Sequence, residues 1–323
     1  MQLGLFQMQE NLEIRPKNFD EFIGQKELVN TLKVLINSSK KRHKNLDHIL
    51  FYGAPGLGKT TLAKIISLEM KEQIKFVQGS LIEKKSDVLS IFGSIKKGDL
   101  IFIDEIHSLN KNVEELLYSA MEEYVIDIQI GVEGESKIMR MKLPEFTLIA
   151  ATTKIDKISQ PLKDRFGYLA KLKSYSKQDM AIIIKNSSKK LKIKIDDQDI
   201  DYITTFTNST PRIANNILKR IRDFFIYEKK EFIDRTLIDK TLKNIGIHRK
   251  GLNNLHIDYL KMVGQVFRKK SVSLDVISGI LKESKENILT NIEPLLLQLN
   301  LIEKTSRGRK ITDSGIEYLK TIW

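Results

Sequence analysis

The chain has 323 residues, 54 Lys plus Arg against 41 Asp plus Glu, a formal net charge of +13 and 41% hydrophobic residues. That length suits about two domains or three small ones, each with its own core, and excludes wholesale disorder. The absence of Cys excludes a disulfide scaffold, a thiolate metal site and cysteine nucleophilic chemistry, fits a reducing compartment, and leaves five scattered His as a poor basis for a metal cluster. No apolar run approaches the roughly 18 to 20 residues of a membrane span, and the start of the chain lacks a cationic segment followed by a long apolar core. A soluble, unexported, cytoplasmic chain without membrane association is expected. The basic excess has two readings, a polyanionic partner or lysine-rich coding bias, and charge alone does not choose between them.

In chain order, short apolar runs alternate with amphipathic stretches, the pattern of a parallel sheet covered by helices and hence of an α/β fold. Buried strands are predicted at HILFYGA (48–54), IKFVQG (74–79), DLIFIDE (99–105) and FTLIAATT (146–153), with helices between them in KTTLAKIISLEMKEQ and NVEELLYSAMEEY. Between Val125 and Leu143, two alternating runs joined through Gly131 and Gly134 predict an inserted β-hairpin. Ile130, Val132 and Ile138 would offer an apolar contact near its tip, or pack on the hairpin's own core. From about residue 173 helical periodicity takes over. From Gly246 a run of short helices, a basic glycine turn SRGRK and ITDSGIEYLK outline a winged helix-turn-helix. The expected organisation is a sheet domain (1–172), a separate helical domain (173–245) and a winged helix (246–323).

The strongest chemical signal is GAPGLGKT at Gly53 to Thr60, a phosphate-loop pattern entered by a strand and left by a helix. Glycines at 53, 56 and 58 let backbone N–H groups converge on phosphates at a positive helix N-terminus. Lys59 is expected to bridge phosphate oxygens and Thr60 to ligate Mg²⁺. Some 45 residues on, LIFIDEIH ends a strand in Asp104, suited to the Mg²⁺ shell, and Glu105, suited to polarising the attacking water; a helix cap is the plainer use of such a pair. Thr152 and Thr153 end a strand where a hydroxyl can sense the γ-phosphate, or are simply a strand end. Arg165 in PLKDRFG suits insertion into a neighbouring subunit's site, or a surface ion pair. Arg212 in Thr210-Pro211-Arg212 opens a helix from which it can reach phosphates, or lies solvated.

The order of IRPKNFDEFIGQ, LDHILFYGAPGLGKTTLAKII, GDLIFIDEIHSLN, VEELLYSAMEEYVIDIQIG, FTLIAATT, PLKDRFG, TPRIANNILKRIRDF and EKTSRGRKIT resembles the RuvB family, the Holliday-junction branch-migration motors of bacteria, from about Ile14 to Arg309. The resemblance implies an AAA+ ATPase using ATP and Mg²⁺ in a homohexameric ring around double-stranded DNA. It places Ile14 and Arg15 at adenine, Gly56, Gly58, Lys59, Thr60 and Thr61 in the phosphate loop, and Asp104 with Glu105 as the Mg²⁺ and water pair. Thr153 falls at the first sensor, Arg165 at the arginine finger and Arg212 at the second sensor. Tyr175 and Glu122, Glu123 and Tyr124 fall at further nucleotide contacts, and Lys285, Lys304, Arg307 and Arg309 on or near the winged-helix DNA contacts. It further implies that hairpin 125–143 docks a RuvA-like junction-binding protein, with a RuvC-like resolvase as another partner.

From Gly246 onward 13 Lys plus Arg stand against 8 Asp plus Glu, a charge suited to sequence-independent phosphate binding or to a solvated face of a protein-contact domain. The chain departs from the family pattern in the acidic hairpin tip GVEGES and in FRKKSVSLDVI, where the family commonly carries a Gly-Gly-Pro-Val-Gly turn. Two rival functions share parts of these signals. A clamp-loader ATPase shares the loop, the acidic pair and the exposed arginine, but ends in a helical collar. A regulator using ATP as an assembly switch would not require Glu105 and Arg165.

Overall fold

A computed structural model describes residues 14–130, 137–267 and 270–322. The hairpin tip GVEGES and the residues Arg268 and Lys269 of the divergent turn lie outside the described residues. The chain divides into two compact units. One runs up to Leu191 and takes in Ser209–Asn215; the other holds Lys192–Asn208 and the chain from Asn216 on.

The first unit is built on a five-stranded parallel sheet. Its strands β1 (Ile49–Tyr52), β2 (Ile74–Gln78), β3 (Leu100–Asp104), β6 (Thr147–Thr152) and β7 (Tyr168–Lys171) take the order β2-β3-β6-β1-β7. The central strands β1, β3 and β6 are buried almost throughout, as continuous apolar runs require when helices cover both faces. The edge strands differ. β2 is only half-buried, contrary to the expectation of a buried strand, and β7 buries Ala170 alone, which is why YLAK carries no strand signal by itself. Helices α1 (Lys26–Arg42), α2 (Lys59–Met70), α3 (Lys85–Phe92), α4 (Lys111–Glu122), α5 (Gln160–Asp164) and α6 (Lys177–Lys190) complete this unit. Phe146 anchors the core, with Phe92 and Tyr124 edge-on to its ring at 5.0 and 5.7 Å. β4 (Val125–Ile130) and β5 (Lys137–Lys142) pair antiparallel from Val125↔Lys142 to Ile130↔Lys137, the predicted inserted hairpin.

The second unit holds α7 (Asp197–Thr204), most of α8 (Pro211–Tyr227) and α9 (Arg235–Asn244), then the helices α10 (Asn254–Lys261), α11 (Leu274–Leu281) and α12, a helical run of Lys285–Asn287, Ile288–Ile292 and Glu293–Gln298. A hairpin of β8 (Ile302–Thr305) and β9 (Gly308–Ile311) and the helix α13 (Asp313–Lys320) follow, so three helices and a basic hairpin are arranged as the sequence outlines. Gly308 is needed at its turn. It has φ 134°, and a Cβ there would meet Val272 O at 2.1 Å, where the backbone of Val272 bridges Arg309. No helix of the described residues is long and apolar enough to cross a membrane.

Candidate ATPase site and winged helix

The phosphate loop leaves the C-terminal end of β1 and enters α2 at Lys59. Gly58 has φ 109°, a backbone conformation that strains any side chain, and a Cβ on it would lie tightly, 3.1 Å from the Phe22 ring. Tyr175 is buried and donates its hydroxyl to Leu57 O at 2.9 Å, fixing the loop from behind; burial raises its pKa, which keeps it a donor. The Lys59 ammonium is buried against its own loop, donating to Gly53 O at 2.8 Å and Ala54 O at 2.9 Å. Burial lowers its pKa to about 8, opposed by Asp104 and Glu105 and reinforced by Arg212.

Cations converge here. Arg15 has its pKa lowered by burial and then by Arg212, and Lys64, on α2, has its own lowered by burial and then by Arg15. Arg212, exposed at the start of α8, has its Cβ 2.9 Å from where a Cβ on Gly56 would lie. Lys59, Arg15 and Arg212, coupled electrostatically through Arg212 beside a glycine loop, fit a polyphosphate, which relieves their repulsion. Ile14 is buried next to Arg15, and Thr61 is half-buried on the first turn of α2.

The acidic pair sits at the end of β3. Thr60 Oγ1 donates to Asp104 Oδ2 at 3.3 Å, bringing together the two residues predicted for Mg²⁺. Glu105 adopts a left-handed φ of 52° and accepts from Gln78 Nε2 at 3.1 Å, while its N–H donates to Asp104 Oδ1. Gln78 is the register partner of Asp104, a role the sequence does not signal without the strand pairing. Of the two strand-end threonines, Thr152 is buried and engaged, with Oγ1 3.0 Å from His107 Nδ1 and accepting the Lys154 N–H at 2.9 Å; Thr153 follows in an exposed position. His107 thus ties the turn after Glu105 to the end of β6. Burial lowers its pKa, favouring a neutral ring at this contact.

Arg165 lies elsewhere. It ends α5 just before β7, whose Tyr168 pairs with Ile49 at the N-terminal end of β1 and donates its N–H to His48 O. The phosphate loop leaves the other end of β1, five residues beyond His48, or about 16 Å of strand. Arg165 pairs with Glu122 Oε2 at 2.9 Å, donates to Pro161 O at 2.8 Å and lies 4.6 Å from the Tyr118 ring centroid. Arg165 and Tyr124 line a cleft of about 420 Å³ with Asn45, Asp47 and Met121, whereas Glu123 forms a looser pair with Arg140 at 3.7 Å. The structure therefore groups Glu122 and Tyr124 with Arg165 and not with the phosphate loop of the same chain.

In the winged helix, three of the four residues predicted for DNA are paired within the chain. Glu293, fully buried on α12, accepts from Arg309 at 2.7 and 3.4 Å, from the Tyr259 hydroxyl at 3.1 Å and pairs with Lys304 at 3.2 Å. Lys285 pairs with Asp275. Arg307, exposed at the turn, has no ion pair among the described residues. The basic wing is thus partly neutralised from beneath, a contact across 16 residues that composition does not reveal.

The family described as Holliday junction DNA helicase RuvB P-loop domain matches residues 14–172, the RuvB AAA lid domain residues 175–248, and the RuvB C-terminal winged helix domain residues 249–320. The Holliday junction branch migration complex subunit RuvB of Mesomycoplasma hyopneumoniae strain 7448 is 58% identical over 312 residues, covering 97% of this chain and 98% of its own length. That of Mycoplasmopsis pulmonis strain UAB CTIP is 52% identical over 315 residues, covering 98% and 100%. Among solved structures, the Thermotoga maritima RuvB Holliday junction branch migration motor superposes with a TM-score of 0.81 at 35% identity, over 96% of this chain and 99% of that one. Glycine loop, acidic pair, lid and winged helix thus follow one another in a single familiar order, and the chain belongs to the RuvB family, as an ATP-binding P-loop ATPase of the DNA-helicase type.

Proposed function

We propose that this chain is the motor subunit of a homohexameric ring that hydrolyses ATP to translocate duplex DNA and drive branch migration of Holliday junctions in recombination and repair. The observation that carries the coordinated, ring-shaped part of this reading is the place of Arg165. It stands at the opposite end of β1 from its own phosphate loop, out of reach of a γ-phosphate bound there. A finger so placed serves the neighbouring subunit.

In this reading Lys59 exchanges the carbonyls of Gly53 and Ala54 for phosphate oxygens, and the converging Arg15 and Arg212 stabilise the bound nucleotide's charge. Thr60 and Asp104 form an oxygen-only pair of the kind Mg²⁺ takes alongside phosphate oxygens and water, and the metal bound there would supply charge neutralisation on the β- and γ-phosphates. Glu105 orients the attacking water, with Gln78 fixing its carboxylate, while Thr153 senses the γ-phosphate beside the His107–Thr152 contact. Arg212 reads the γ-phosphate from the first turn of α8, a helix that runs on into the second unit. Arg307 at the wing tip contacts DNA phosphate, with Lys285, Lys304 and Arg309 beside it on the basic side. The β4–β5 hairpin docks a RuvA-like protein, and a RuvC-like resolvase joins the same junction.

ATP-driven dissociation of a synthetic four-way junction, with and without a RuvA-type partner, tests the function. The wild-type chain is expected to dissociate the junction, Lys59→Ala to lose nucleotide turnover, and Arg165→Ala to bind ATP but not hydrolyse it at the DNA-stimulated rate. Junction dissociation that proceeds without ATP, or normal turnover by Arg165→Ala, would overturn the reading.

A further inference from the structure

Arg165 is aimed in part by Ser159, Glu114 and Tyr118, to which nothing above gives a part in the reaction. It caps the C-terminal end of α5, a helix of five residues, so its direction depends on how α5 is held. The N-terminal end of α5 is capped by Ser159, whose hydroxyl oxygen accepts the Leu162 N–H at 3.3 Å. Ser159 is itself fixed from α4. Its N–H donates to Glu114 Oε1 at 3.2 Å, its hydroxyl donates to the same oxygen, and its Oγ lies 2.9 Å from the Tyr118 hydroxyl. Glu114 is 9% exposed and holds its carboxylate at these bonds. The Tyr118 ring then supports the Arg165 guanidinium at 4.6 Å, and Glu122 takes its Nη2 at 2.9 Å. Glu114, Tyr118 and Glu122 are spaced by four on one helix, so they form one stripe along α4. Its buried end grips the start of α5 and its exposed end holds the guanidinium.

We propose that Glu114 and Tyr118 are positioning residues for Arg165, setting the direction in which the finger leaves its own subunit. The proposal rests on the trans role of Arg165 given above. Neither residue touches the phosphate loop of its own chain, so losing either should lower the turnover of the neighbouring site and leave nucleotide binding at its own site intact. Displacing a catalytic group by an ångström costs about a hundredfold in rate.

The test uses the full-length protein with duplex DNA and measures ATP affinity, KM and kcat. Tyr118→Leu is expected to lower kcat by roughly tenfold to a hundredfold with KM and ATP affinity unchanged. Tyr118→Phe, which keeps the ring and loses the bond to Ser159, and Glu114→Gln should fall between it and wild type. Mixed rings separate the two levels of the reading. Lys59→Ala subunits carry an intact finger, so adding them to Arg165→Ala subunits should restore turnover, and adding them to Tyr118→Leu subunits should restore it likewise. Mixing Tyr118→Leu with Arg165→Ala should not. Restoration of Arg165→Ala but not of Tyr118→Leu, or wild-type kcat in both tyrosine variants, would overturn the positioning role alone. Failure to restore Arg165→Ala would overturn the trans role and this proposal with it. Should the leucine variant not fold, Tyr118→Phe and Glu114→Gln carry the same comparison.

Discussion

Replacing Glu293 by Gln tests what the basic wing is made of. The carboxylate is fully buried and gathers Arg309, Lys304 and the Tyr259 hydroxyl, so the substitution keeps the shape and removes the charge that holds two cations. Removing one partner of a buried ion pair costs about 3 to 5 kcal/mol, because the other charge is left stranded. Here the Lys304 side chain is 50% exposed and finds water at once, whereas Arg309, at 16%, is largely trapped, so a loss of about 2 to 3 kcal/mol is expected. Hydrogen exchange at the Val272 and Arg309 amides, which bond each other across the wing, reads this loss locally in the full-length chain. Released from Glu293, Lys304 becomes available to phosphate, so the dependence of DNA affinity on salt should steepen by about 0.9 for one added contact. The double variant Glu293→Leu with Arg309→Met, which removes both charges, should regain most of the protection. Unchanged exchange, within about 0.5 kcal/mol, together with an unchanged salt slope would refute the idea that Glu293 sets the wing.

Two further outcomes follow from buried titrating groups. The Lys59 pKa of about 8 in the free protein must rise when phosphates surround it, so ATP binding at pH 8 should take up protons. Calorimetry in buffers of different ionisation enthalpy should show that uptake in the wild type and not in Lys59→Ala, and affinity should weaken as pH rises above about 8. His256 is buried at the start of α10, where Nδ1 accepts the Asn253 N–H, and burial lowers its pKa from 6.5 to about 4. The unfolded chain therefore binds the proton first, so the stability this neutral ring supports is present above pH 6.5 and is lost as pH falls towards 4. About 2 kcal/mol should be gone by pH 5. Urea denaturation of wild type and His256→Gln at pH 7 and pH 5 should show a smaller pH dependence in the variant; equal dependence would show that the ring is not the sensitive group.

Much of the chemistry was legible because its signals are local. A phosphate loop is a run of backbone N–H groups that only glycines at 56 and 58 allow, and Lys59 and Thr60 follow it within two residues. Central strands read as apolar runs because both their faces are covered, and the wing reads as a basic glycine turn because Gly308 must make room for the Val272 carbonyl. The edge strand β7 was silent because half of it faces solvent.

What the sequence determined by itself was therefore the inventory: which groups are suited to phosphate, which acids stand ready, which residues turn the chain. What only the tertiary structure decided was their partners. Gln78 reaches Glu105 across 27 residues through the β2–β3 register, and His107 reaches Thr152 across 45 through β3 and β6. Arg309 turned out to rest on Glu293, and Arg165 to stand at the far end of β1 from its own loop. Strand register and helix packing choose such neighbours among residues far apart in the chain. A residue's type states what it can bond, but the fold states what is within reach.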